Sequence, residues 1–204
     1  DKMLGLVTGY YEPLLRGDTQ RSERGRYPVY APPPDLLTID MASMYPELKN
    51  LRLRGRVQGN KVVPYWTRTD IESGRGVERA EQQAWVEDPI ELFFLQVQGS
   101  GRIELPSGEL LRVGYADQNG YPYKSIGKWL IDKGELTAGQ ATMQGIQAWA
   151  QANPARLTEL LNSNPSYVFF RRLNNNQSGP LGALGVPLTD GYSIAVDARY
   201  TPLG

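Results

Sequence analysis

The chain has 204 residues, 40% of them hydrophobic, with 22 basic against 22 acidic side chains and a formal net charge of zero. That length suits one large domain or two small ones, and a neutral chain has no bulk electrostatic hold on nucleic acid. There is no Cys and no His, which excludes Ser–His and Cys–His nucleophile pairs and thiolate or imidazole metal sites and leaves acid–base work to Asp, Glu, Tyr or Lys.

Gly and Pro together make 37 residues, about 18% of the chain, against a usual ~12%, so many turns and short strands are expected. No apolar run approaches the ~20 residues of a membrane span. The first residues do not read as a signal peptide, and they begin as if inside a strand of something longer. Leu4 to Tyr11 is rich in β-formers and predicts a strand ending at Glu12-Pro13. Arg16 to Arg26 is polar and reads as an exposed loop. Tyr27 to Tyr30 predicts a short edge strand before the Ala31-Pro32-Pro33-Pro34 breaker. In Leu51 to Gln58, Leu51, Leu53 and Val57 alternate with Arg52, Arg54 and Arg56; three arginines on one strand face could meet anionic peptide stems, and a solvated face is the reading preferred. Gly59-Asn60 turns that strand into Lys61 to Thr67, a hairpin.

Asp88-Pro89-Ile90-Glu91 carries a helix start, with Asp as cap, Pro in the first turn and Glu positioned to reach back. A short helix over Pro89 to about Leu95 should feed a strand through Gly99-Ser100-Gly101 to Ile103. Pro106-Ser107-Gly108 turns it into a return strand over Leu110 to Tyr115. Three helical segments follow. Ser125 caps the first, with Ile126, Trp129 and Leu130 inward and Gly134 at its end. Thr137-x-x-Gln140 reads as a capping box for the second, with Met143, Ile146 and Ala150 on one face. Asn153-Pro154 opens the third, over Leu157, Leu160 and Leu161. Ser166 to Arg172 predicts a strand, and Asn174 to Gly179 a polar linker. Two short β-like runs, Val186–Leu188 and Tyr192–Asp197, close the pattern.

The densest chemistry lies between Gln96 and Gly127. Gln96, Gln98, Ser100, Arg102, Tyr115, Asn119, Tyr121, Tyr123 and Ser125 alternate there with glycines. Neutral hydrogen-bonding groups mixed with aromatic rings suit an uncharged, hydroxyl-rich ligand such as a glycan. A hairpin with a polar loop on any β-rich domain has the same composition.

Several segments, taken in order, resemble the MltA family of membrane-bound lytic murein transglycosylases A. They are Thr8-Gly9-Tyr10-Tyr11-Glu12-Pro13, Gln96-Val97-Gln98-Gly99-Ser100-Gly101, Tyr115-Ala116, Tyr123-Lys124-Ser125-Ile126-Gly127, Asn164-Pro165-Ser166-Tyr167-Val168-Phe169-Phe170, Gly185-Val186-Pro187-Leu188, Ala195-Val196-Asp197 and Pro202-Leu203-Gly204. The resemblance implies a mainly β, α+β chain: part of a double-psi β-barrel over 1–12 and 180–204, and a β-rich insert over 13–175, with a glycan groove between them. The composition-based linker at 174–179 falls at the same boundary. It further implies scission of the β-1,4 bond between N-acetylmuramic acid and N-acetylglucosamine with formation of a 1,6-anhydro ring, by one carboxyl group and without metal or organic cofactor. Non-catalytic glycan binding and hydrolysis on a related barrel are the alternative readings.

Asp197 matches the first of the family's signature aspartates, in a supporting role, and the main acid is expected beyond Gly204. Glu12 is not assigned the acid role. Candidate substrate contacts are Thr8, Tyr10, Gln96, Gln98, Ser100, Gly101, Tyr115, Asn119 and Tyr123. The implied partner is the glycan strand of peptidoglycan, met by a monomer on the periplasmic face of the outer membrane, with any anchor outside this chain.

Overall fold

The computed structural model describes residues 12–49 and 51–174. The expected strand over Leu4–Tyr11, the candidates Thr8, Tyr10 and Asp197, both barrel segments and most of the linker lie outside the described residues. The described residues form an α+β structure, mainly sheet with a few short helices.

The main sheet has six strands in the order β2 (Tyr27–Tyr30), β6 (Gln82–Val86), β1 (Leu14–Asp18), β7 (Ser100–Glu104), β8 (Leu110–Gln118), β9 (Val168–Leu173). β1 runs parallel to β7, with Leu14 opposite Arg102, and antiparallel to β6 on its other side. Each strand contributes to one apolar cluster: Leu15, Val29, Ala84 with Val86, Ile103, Val113 and Phe170. The sheet curls, because Arg172 of β9 donates to the Gln83 carbonyl on β6 at 2.6 and 3.0 Å. Helix α2 (Pro89–Gln98) packs Leu92 and Leu95 into the same cluster. Its other side meets α3 (Ile126–Asp132), α4 (Met143–Ala152) and α5 (Leu157–Asn162) in a second cluster around Phe93, Leu130, Ile146 and Leu160. A third cluster, Tyr65, Ile71, Val77, Tyr167 and Phe169, gathers around α1 (Arg68–Glu72).

Four elements differ from the sequence reading. The polar stretch after Arg16 is not all loop: β1 sits inside the sheet between β6 and β7, because Leu15 and Gly17 face inward while charged neighbours face out. Helix α2 runs to Gln98, three residues past the expected end, and Asp88 accepts from both Ile90 and Glu91 N–H at 2.7 and 3.0 Å. The Thr137–Gln140 pair does bond, at 3.0 Å, yet closes a single turn; the next helix starts at Met143 under a second cap, Thr142. The hairpin of β4 (Arg54–Gln58) and β5 (Lys61–Pro64) forms as expected, but its polarity is inverted. Val57 and Val62 are 64% and 57% exposed, while the Arg54 side chain is only 15% exposed and paired to Asp117. Strand alternation identifies two faces; neighbouring elements decide which of them is covered.

Candidate functional site

The Gln96–Gly101 segment is the last turn of α2 and the entry to β7, and each of its residues has a separate physical task. Gln96 is 5% exposed, and its amide oxygen accepts from an Arg68 Nη. Gln98 is exposed. Gly99 takes φ 83°, a left-handed helix end that returns its N–H to Leu95 O at 2.8 Å. Ser100 is half-buried, opposite Gly114 on β8. Gly101 is buried where a Cβ would lie 2.5 Å from Leu95 Cδ1 and 3.0 Å from the Pro13 carbonyl. The expectation that Gly101 lets backbone approach a ligand is therefore corrected: helix and strand already fill that space. The expectation of Gln96 as a ligand contact is corrected likewise, since its side chain is committed to the interior. Gly101→Val is expected to cost about 1–3 kcal/mol through overpacking, measured as a lower thermal midpoint; an unchanged midpoint would show that α2 can slide off β7 freely.

Tyr115 faces the same turn. Its N–H donates to Gly99 O at 2.6 Å, its side chain is 38% exposed, and the Arg52 guanidinium lies 6.0 Å from its ring centroid. Desolvation raises the phenol above its ordinary pKa, partly offset by Arg52, so Tyr115 is a neutral hydrogen-bonding ring at physiological pH. After Tyr115 the register with β9 shifts, and Asp117 turns to bond Arg54 Nε at 2.8 Å. Asn119 is 1% exposed. Its amide donates to Trp66 O and Pro165 O and accepts from Tyr167 N–H, each at 2.9 Å. That commits both donors and one acceptor site to backbone in a buried position, so the expectation of Asn119 as a groove-wall contact is corrected. Tyr123 is 52% exposed on the loop before α3.

Among the nominated residues, Gln98, Ser100 and Tyr115 thus gather around the Gly99 turn, with Arg52 as a member that sequence reasoning left out of the site. The alternating arginine pattern was visible; what it lacked was the inverted facing of the hairpin. This cluster offers an amide, a hydroxyl, a ring and a guanidinium. The carboxylate that acts on Tyr115, Asp117, is bonded to Arg54. The arrangement equips these residues to bind and orient, not to transfer a proton. Glu12, its side chain only 13% exposed, lies 3.4 Å from Arg102 and 3.6 Å from the buried Arg112, engaged in ion pairs.

Arg68 is the other unusual residue. It is 3% exposed and donates to Asn164 O, Ser166 O, Gln96 and Glu72. Its guanidinium stacks 4.8 Å from Phe93 and 5.0 Å from Tyr167. Burial pulls its pKa below the ordinary value, and Glu72 opposes that. A cleft of about 460 Å³ opens beside it, lined by Tyr27, Tyr30, Glu72, Leu161 and Tyr167 among others. Among the described residues none of the nominated contacts lines that cleft. Among the described residues no helix is long and apolar enough to cross a membrane.

A curled mixed sheet with a helical flank and a polar, aromatic turn at the end of α2 has close relatives. Residues 6–171 match the family described as the MltA specific insert domain, and the chain belongs to the MltA family. The membrane-bound lytic murein transglycosylase A of Escherichia coli strain K12 is 33% identical over 200 residues, which is 97% of this chain and 47% of that protein. The solved MltA of Neisseria gonorrhoeae is similar with TM-score 0.84 at 41% identity, over 97% of this chain and 56% of that one. The E. coli MltA solved with bound chitohexaose is similar with TM-score 0.70 at 29% identity, over 95% of this chain and 50% of that one. The chain spans about half the length of the curated relatives it matches.

Proposed function

We propose that this chain is the glycan-holding part of a peptidoglycan lytic transglycosylase. The observation that carries the reading is family membership across residues 6–171, joined to a similar protein solved with a chitin oligosaccharide. In this reading residues 13–175 form the insert, and 1–12 with 180–204 belong to a double-psi β-barrel. The glycan strand lies between the two parts, against Gln98, Ser100 and Tyr115, with Tyr123, Thr8 and Tyr10 as further contacts. Gln96 acts through Arg68 as a positioning residue.

The chemistry is the one that the resemblance to lytic transglycosylases implies. A glycoside hydrolase needs two carboxyl groups, one of them to activate water or to attack. Here the C6 hydroxyl of the muramoyl sugar replaces water. A carboxylic acid protonates the bridging oxygen, the C1–O bond breaks, and the C6 oxygen bonds to C1. The C6 hydroxyl proton then passes to the same carboxylate, so no water is consumed. Tethering gives that hydroxyl an effective molarity on the order of 10⁵ M in favourable cases, and one group acts as acid and then base. The proton donor belongs to a barrel segment beyond Gly204, with Asp197 in support. The protein needs no metal or organic cofactor for this route. It works as a monomer at the periplasmic face of the outer membrane, held by an anchor outside this chain.

Digestion of purified sacculi by the protein carrying the barrel segment tests the reading. The muropeptides should end in 1,6-anhydro sugars, one water lighter than reducing ends, and the 204-residue chain alone should bind without cutting. Ordinary reducing ends would replace this mechanism by hydrolysis, and lysis by the 204 residues alone would move the acid to Asp197 or Glu12.

A further inference from the structure

We propose that the arginine side of the β4 hairpin is a carboxylate-binding wall for the peptide stem carried by the muramoyl sugars; this deepens the glycan reading and rests on it. Residues 51–69 contain Arg52, Arg54, Arg56, Lys61 and Arg68 and no Asp or Glu, in a chain whose net charge is zero. The three hairpin arginines stand on one side of the strand about 7 Å apart, the repeat of two residues in an extended chain.

They are not equivalent. Arg54 is bonded to Asp117 at 2.8 Å. Arg52 and Arg56 form no ion pair among the described residues; each instead faces an aromatic ring. Arg52 lies 6.0 Å from the Tyr115 ring, and Arg56 lies 3.7 Å from the Trp66 ring, with its Nε buried and without a hydrogen-bond partner. A second cation, Arg75, covers Trp66 at 5.2 Å, but that one is paired with Asp70 at 3.4 Å. A guanidinium resting on a ring keeps its planar fork oriented, and a preset fork meets a carboxylate with less ordering cost than a free one. Two such forks, neither in a salt bridge among the described residues, flank a third that is already neutralised; Arg56 also acts through space on Asp70, and Arg52 on the Tyr115 phenol.

Its position is set by β8. A Cβ on Gly120 would stand 2.9 Å from Arg54 Cβ, so the chain after Tyr115 runs along residues 52–54. The arginines therefore continue the surface that begins with Gln98, Ser100 and Tyr115. A stem peptide leaves the sugar strand sideways from the muramoyl lactyl group and carries free carboxylates. A sugar bound at Tyr115 would place them over Arg52 and, farther along, Arg56. A bare oligosaccharide has no group for this wall.

Calorimetric titration of the chain with three ligands separates the claims: chitohexaose, a soluble muropeptide with its free stem, and the same muropeptide with its carboxylates amidated. The free stem is expected to bind ~10-fold tighter than the amidated one at low salt, with the advantage shrinking as salt rises. Arg52→Gln should remove part of that advantage and Arg52→Gln with Arg56→Gln all of it, the advantage being read as the ratio of free-stem to amidated-stem affinity so that any loss at the Tyr115 sugar contact, common to both ligands, cancels. Arg52→Gln leaves the Trp66 stack intact, so its result does not depend on folding of the double variant. Equal binding of free and amidated stems, or an advantage that survives both substitutions, overturns the proposal. Arg-dependent stem binding without any chitohexaose binding would support the wall and remove the sugar-contact reading on its own.

Discussion

Replacing Arg68 by methionine is expected to destabilise the chain by about 3–5 kcal/mol, the usual cost of removing one partner from a buried charged network. Arg68 connects α1 to the Asn164–Ser166 segment through two carbonyls, to α2 through Gln96, and to its own helix through Glu72. Methionine fills most of the space between Phe93 and Tyr167 but leaves those acceptors without donors in a dry interior. At this chain length that loss lowers the thermal midpoint by roughly 10 °C. Lysine retains the charge, but its single ammonium cannot span four acceptors as a planar fork does, so Arg68→Lys should fall between the two. A cycle with Gln96→Leu should show strong coupling, because the partners touch. A loss below about 1 kcal/mol for Arg68→Met would mean that water replaces the fork, and that Gln96 is free to serve a ligand after all.

Asn119→Ala should cost about 3 kcal/mol. Its amide closes three hydrogen bonds to backbone groups of residues 66, 165 and 167 in a site that is 1% exposed; without it Trp66 O and Tyr167 N–H lose these bonds, while Pro165 O keeps the Arg68 N–H at 3.0 Å. Asn119→Asp is expected to be worse than alanine: the acceptor for Tyr167 N–H remains, but both donors vanish and a charge is buried. Amide exchange gives a local readout. Tyr167 N–H should lose protection in Asn119→Ala well before the rest of β9. Glycan affinity should fall with it, because Tyr115 is seated four residues upstream, on the strand β8 that ends just before Asn119. Stability within 0.5 kcal/mol of the parent would refute the stapling role.

Much of the architecture was open to local rules. The caps at Asp88 and Ser125, the Gly59-Asn60 hairpin, the edge strand at Tyr27–Tyr30 and the strand through Phe169-Phe170 follow from spacing and turn chemistry, and the structure contains each of them. The family resemblance was carried by short ordered motifs and is met by the match over 6–171. The site was less legible. Gln96 and Gln98 differ by two positions on one helix, yet one binds Arg68 in the interior and the other is exposed. Asn119 and Tyr115 lie on one bulged strand end and face opposite fates for the same reason. Polarity in a sequence shows that a residue needs hydrogen-bond partners, but not whether backbone, a buried guanidinium or a ligand supplies them.

The amino acids alone established the absence of imidazole and thiol chemistry, the β-rich pattern with helical interruptions and the polar, glycine-rich stretch between Gln96 and Gly127. Those properties are intrinsic to composition and to spacing along the chain. Only the tertiary structure decided that β1 joins the centre of the sheet, that the hairpin turns Arg54 inward onto Asp117, and that two of the nominated amides serve the fold. Each of those outcomes depends on which distant segment covers a face, and burial is a property of the pair in contact rather than of either residue.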